Sequence, residues 1–108
     1  MKQFKFLPVL ALCFGLAQAE TIATLKNKAG GYIILTDVAT DRCRGFVGAA
    51  YATMENNQTT WGCWFSDDMM VHIRWYDGDT RAYPIDDFSV NTEAARKLRE
   101  RRNKGQSL

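Results

Sequence analysis

The sequence predicts an all-β domain, a small antiparallel sheet curled into a barrel or a two-layer sandwich, with a short helix at its C-terminal end. Three observations carry that expectation. Val71, Ile73 and Trp75 alternate with His72, Arg74 and Tyr76, the period-2 pattern of a strand with one buried face. Other short apolar segments recur at intervals of roughly eight to twelve residues, separated by Gly, Asn and Asp turns, as in sandwiches and barrels. From Thr92 onward the composition shifts to Glu, Ala, Arg, Lys and Leu, which favour helix.

In chain order, Ile22, Ala23 and Leu25 offer a short first strand, which Gly30-Gly31 ends. Tyr32 to Thr36 is apolar and β-branched on both faces and therefore belongs inside the sheet rather than at its edge. Asp37 to Arg44 is a polar connection that delivers Cys43. Phe46 to Thr53 reads as a strand; helix over Val47 to Glu55 is its rival, and Gly48 and Tyr51 count against the helix. The small residues Gly45, Gly48, Ala49 and Ala50 leave room for a bulky indole from a neighbouring strand.

After the polar turn Glu55 to Gln58 comes the strand Thr59 to Phe65. Its alternation puts Trp61, Cys63 and Phe65 on one face and Gly62 and Trp64 on the other, and the face holding Trp61 is assigned to the interior together with Trp75. Ser66-Asp67-Asp68 turns the chain into Met69 to Tyr76. Asp77-Gly78-Asp79 then forms a hairpin, because Gly tolerates positive φ and Asp bonds its own turn backbone. Arg81 to Tyr83 return as the partner strand until Pro84, which has no N–H to pair. Ile85 and Phe88, three apart, suggest one turn of 3₁₀ helix plugging the open end of the sheet, with Ser89 and Val90 as a last short strand. Asn91 or Thr92 caps the helix, whose apolar face is only Ala94, Ala95 and Leu98. A solvated helix fraying towards Lys104-Gly105 is expected.

Residues 1–19 are expected to be a leader. Lys2 and Lys5 precede the apolar run Phe6 to Leu16, and Ala17-Gln18-Ala19 completes the order of a secretory signal peptide cleaved before Glu20. The run is about eleven residues, short of the roughly 20 that cross a bilayer, so the mature chain is expected to have no transmembrane segment. Leu10-Ala11-Leu12-Cys13 resembles a lipobox, but Leu12 stands where Gly or Ala is preferred. Cleavage removes Cys13 and leaves Cys43 and Cys63, an even pair in an oxidising compartment. Their disulfide would close a loop of about 20 residues and contribute roughly 3 kcal/mol in the chain-entropy model; two unpaired thiols are the alternative. Two Cys and one His without a CxxC spacing fall short of the ligands of a structural zinc, and no cofactor or metal is expected.

The domains are thus a leader 1–19, a disulfide-linked β-domain 20–91 and a basic helical tail 92–108. The body carries six Lys/Arg against ten Asp/Glu, a net of −4, and the tail six against two, a net of +4. The tail answers the acidic body electrostatically or contacts an anionic envelope surface, whereas export argues against nucleic acid as its partner. An amphipathic membrane helix needs a broader apolar face.

The order Gly30-Gly31, Ile34-Leu35-Thr36, Cys43, Tyr51-Ala52, Gly62-Cys63-Trp64, Val71, Trp75, Asp77-Gly78-Asp79, Arg81, Tyr83-Pro84 and Phe88 resembles small exported proteins encoded in phages and prophages of Gram-negative bacteria. The resemblance covers residues 20 to 91. It implies a short accessory protein of the cell envelope and brings no catalytic residues. The run of strand, turn, strand and single-turn plug before a final strand is similar to SH3-like small barrels.

Candidate chemistry is sparse. His72 near Ser66, Asp67 and Asp68 suggests acid–base or nucleophilic work, but a single His on a polar strand face is more often a surface residue. The pairs Asp67-Asp68 and Asp86-Asp87 lie in turns, where Asp is common for local reasons. Trp64, Arg74, Tyr76 and Tyr51 are the candidate binding residues, as an aromatic and cationic patch on the face away from Trp61; packing in a covered second face is the competing reading. The expected function is a non-enzymatic binding or inhibitory module, periplasmic or secreted, with an envelope protein or a cell-wall glycan as partner. A structural component of an envelope or virion assembly is the alternative, and an envelope hydrolase using His72 a weaker one.

Overall fold

A computed structural model of the chain describes residues 20–106, so the expected leader lies outside the described residues. Six strands follow one another up and down: β1 (Thr21–Lys26), β2 (Tyr32–Thr36), β3 (Gly48–Thr53), β4 (Thr59–Ser66), β5 (Met70–Trp75) and β6 (Thr80–Pro84). A two-residue β7 (Ser89–Val90) and the helix α1 (Thr92–Gln106) complete the fold. The sheet is antiparallel throughout, in the order β6-β5-β4-β3-β2-β1-β7.

That order explains the curl. β6 and β7 occupy opposite edges of one seven-stranded sheet, yet only Ile85 to Phe88 separate them in sequence. So short a link spans the edges only if the sheet bends round on itself, and the result is a half-barrel. The link is a 3₁₀ turn, Ile85–Asp87, as its spacing predicts. Ile85 N–H donates to Met69 O at 2.9 Å and Asn91 N–H to Ile22 O at 2.8 Å, tying the two ends of the crossing to the strands they bridge. Phe88 is buried, and Ile85 packs against the same core.

The inside of the curl is the main core: Ile22, Ala23, Ile33, Leu35, Ala50, Ala52, Trp64, Val71, Ile73 and Trp75 from the strands, Phe88 from the link and Ala94 from α1, with the half-buried Tyr83 of β6 packed against them. Of the segment expected as strand over Phe46 to Thr53, Gly48–Thr53 is strand rather than helix, while Phe46 and Val47 stay in the loop before it, and its small residues serve as expected. Gly48 sits opposite Trp64, and Ala50 opposite Gly62. Gly62 in turn faces Trp75; a Cβ there would lie 2.7 Å from Arg74 O and 2.9 Å from the Trp75 ring. The hairpin between β5 and β6 turns through Gly78 at φ 96°.

The helix departs from expectation at its first turn. Asn91 is the cap, its Oδ1 accepting from Ala94 N–H at 3.1 Å, and its side-chain amide donates to Thr21 O at 3.4 Å. Ala94 is therefore buried against the core rather than solvated, because its small side chain lets the helix backbone approach the sheet. Further on, Arg96 pairs with Glu93 and Glu100 at 2.7 Å each, and its guanidinium holds the Glu93 carboxyl below its usual value. Arg101 reaches the body, donating to Asp37 at 3.0 Å.

Candidate functional site

The face of the sheet turned away from the core is organised by the disulfide. Cys43 and Cys63 are bonded, with their Cα atoms 5.2 Å apart. Cys43 closes a short 3₁₀ turn, Asp41–Cys43, in the loop between β2 and β3. That loop lies against the outside of β4, where Cys43, Ala49 and Cys63 form a second buried cluster with Val38 and Phe46 packed on it. Cys63 therefore points outward, and with it every second residue of β4.

This reverses the expected facing of β4. Trp61 and Phe65, assigned to the interior, are 46% and 42% exposed, whereas Trp64, assigned to the binding face, is 5% exposed in the core. The indole of Trp64 is also spent internally, its Nε1–H donating to Thr36 O at 2.7 Å. A buried indole with its one donor satisfied is a packing residue. Trp64 is thus removed from the candidate binding set by the same disulfide that fixes the strand's orientation.

The other three candidates do share the outer face. Cross-strand register aligns Ile34, Tyr51 and Trp61 along one line, with Tyr51 opposite Trp61. The two rings lie 4.9 Å apart, centroid to centroid. Tyr76 continues the line, its N–H donating to Trp61 O at 2.9 Å, and the residue is 36% exposed. Arg42, from the disulfide turn, stacks its guanidinium 3.7 Å above the Tyr76 ring. One row further, Arg74 sits opposite Cys63 and lies 4.9 Å from the Phe46 ring centroid. Phe46 and Phe65 are 5.9 Å apart, and Phe65 stacks on His72 at 4.7 Å.

The face is thus an aromatic strip crossed by two guanidiniums. Among the described residues neither Arg42 nor Arg74 has a carboxylate partner, whereas Arg44 and Arg81 pair with Asp41 and Asp79. Cation–π stacking holds Arg42 and Arg74 in place without neutralising them, so they remain available to an anion. Trp61, Arg42, Phe46 and Phe65 escape the sequence reading. The available signal was Cys43 itself: it lies in a polar loop, loops run over the outside of a sheet, and its partner Cys63 must face that side.

His72 has a different neighbourhood. Its Nε2 lies 2.8 Å from Asp67 Oδ2, while Asp67 Oδ1 accepts from Met69 N–H and Met70 N–H at 2.8 Å each. The His72 hydrogen bond and those two amides lower the Asp67 carboxyl to about 2. Three bonds to one carboxylate at the β4–β5 turn describe a turn brace, which accounts for the pair without a reaction. Asp86 and Asp87 are exposed in the 3₁₀ link. Among the described residues no cluster of His, Cys, Asp or Glu is placed to hold a metal ion, and no helix is long and apolar enough to cross a membrane.

Comparison of the chain with protein families, with curated proteins and with solved structures finds no match.

Proposed function

We propose that this chain is a non-enzymatic binding or inhibitory module of the cell envelope, periplasmic or secreted, of the kind encoded in phages and prophages, and that it holds its partner on the outer face. The observation that carries this reading is the strip of exposed Trp61 and Tyr76 and half-buried Tyr51 with the unneutralised guanidiniums of Arg42 and Arg74. Trp, Tyr and Arg are the residue types that dominate binding energy at protein interfaces. They sit on a rigid sheet and a disulfide-bonded turn, so little ordering cost is left for the moment of binding. The partner surface is acidic, and an envelope protein suits this broad outer face better than a narrow glycan chain.

Export is supported by the disulfide, which is compatible with an oxidising compartment. A second detail agrees with release of the leader before Glu20. The backbone N–H of Glu20 donates to Asp37 Oδ1 at 2.9 Å, and the Asp37 side chain is only 7% exposed. Cleavage there would turn that nitrogen into an ammonium beside a sheltered carboxylate.

The test is crosslinking and pull-down of the protein from the periplasm, with its intact mass read under non-reducing conditions. Capture should fall at least about tenfold in Trp61→Ala and in Tyr76→Ala with the fold unchanged. Undiminished capture by the folded double variant would remove the outer face from the proposal. A product still beginning at Met1 would remove the compartment. Capture by purified cell wall in place of protein would reassign the partner to glycan.

A further inference from the structure

The open side of the half-barrel, under α1, holds a cavity of about 320 Å³. Its inner wall is built from core residues, among them Leu35, Trp64, Val71 and Phe88. Its outer wall is α1, which contributes Ala95, Leu98, Arg99, Arg102 and Asn103, one stripe at helical spacing. A helix that only closed the barrel would carry apolar residues down the whole stripe. Here the stripe turns cationic after Leu98, and the space beneath it is left unfilled.

The charges along this stripe differ from those beside it. Arg96 is committed to Glu93 and Glu100, and Arg101 to Asp37. Arg99 and Arg102, at the cavity mouth, are exposed and have no ion-pair partner among the described residues. Guanidiniums present paired N–H donors that match a carboxylate or a phosphate. An apolar chamber of this size lies at the lower end of the ~300–1,000 Å³ range of small-molecule sites, which suits one alkyl chain rather than two.

We infer that the cavity binds a single-chain amphiphile with an anionic head, the tail lying against Trp64 and Phe88 and the head held by Arg99 and Arg102. Carboxylate and phosphate heads share the required chemistry. The site is on the opposite side of the sheet from Trp61 and Tyr76, so it stands or falls independently of the outer face.

The experiment is calorimetric titration of the full chain, expressed with its own first residues and purified as the cell leaves it, with decanoate, decyl phosphate and decanol. Saturable one-to-one binding of at least one anion is expected, with decanol about tenfold weaker or more; the tighter anion identifies the head group. From octanoate to decanoate, affinity should rise about fourfold per methylene, the increment expected for burial of a CH₂. The Arg99→Gln/Arg102→Gln variant should bring both anions down to the level of decanol, and Ala95→Trp, which fills the chamber, should abolish binding of all three. Absence of saturable binding, equal binding of anion and alcohol, or full anion binding in the arginine variant overturns the inference. Should Ala95→Trp not fold, the arginine variant decides alone, since its side chains are exposed.

Discussion

Trp61 and Trp64 lie three residues apart on β4 and serve opposite faces of the same sheet. Trp64 fills the inside of the curl, with its N–H satisfied by Thr36 O and Gly48 across from it. Trp61 lies outside, half-exposed against Tyr51. The two apolar regions are also held differently. The inner core draws side chains from every strand except β7, from the 3₁₀ link and from the helix, so burial alone can sustain it. The outer cluster has three buried members, two of them the bonded cysteines, and depends on a covalent tie. The lesson is that a sheet can present a binding face without weakening its core, provided the loop lying on that face is fastened separately.

The sharpest break of this comparison is Trp64→Ala. Emptying the inner face should cost about 3–5 kcal/mol in urea unfolding, as for other buried aromatics. A loss near zero would mean that β4 faces the other way. Next in size is removal of the disulfide by Cys43→Ala/Cys63→Ala. It should cost about 3 kcal/mol. The added expectation is local: amide exchange should rise first in the Asp37–Phe46 loop and leave β5 and β6 protected, because the inner core does not need the bond. Uniform exchange across the sheet would show that the two regions form one unit.

Trp61→Ala is the smaller counterpart on the outer face. It should cost about 1 kcal/mol or less in stability while weakening partner capture. Equal stability losses in Trp61→Ala and Trp64→Ala would erase the distinction between the faces. The smallest effect is one of pH. Asp67, with its carboxyl lowered from the ordinary 3.8 to about 2, contributes fully above pH 3.8 and loses that contribution as pH falls towards 2. Followed by NMR, the Met69 and Met70 amides should shift across that window while the Trp64 indole N–H stays unmoved, and Asp67→Asn should remove the transition.

Much of this architecture was legible beforehand because it rests on local chemistry. The Asp77-Gly78-Asp79 hairpin, the Ile85–Phe88 plug, the Asn91 cap and the strand Gly48–Thr53 each follow from residue types at fixed offsets. The candidate face was half legible. Tyr51, Arg74 and Tyr76 lie on it, while Trp64 does not, since β4 carries large apolar residues on both faces. Arg42 and Phe46 were missed for another reason: they reach the site from a loop, and loop placement depends on what the loop is bonded to.

By itself the sequence determined the inventory: where the chain turns between strands and which residues share a face. Tertiary structure decided which of the two faces of β4 is the inside, that β7 returns to β1, and that Arg99 and Arg102 stand over a cavity. The physical reason is symmetry. Period-2 alternation is unchanged when the two faces are exchanged, so where both carry aromatics only contacts made from elsewhere in the chain can break the tie.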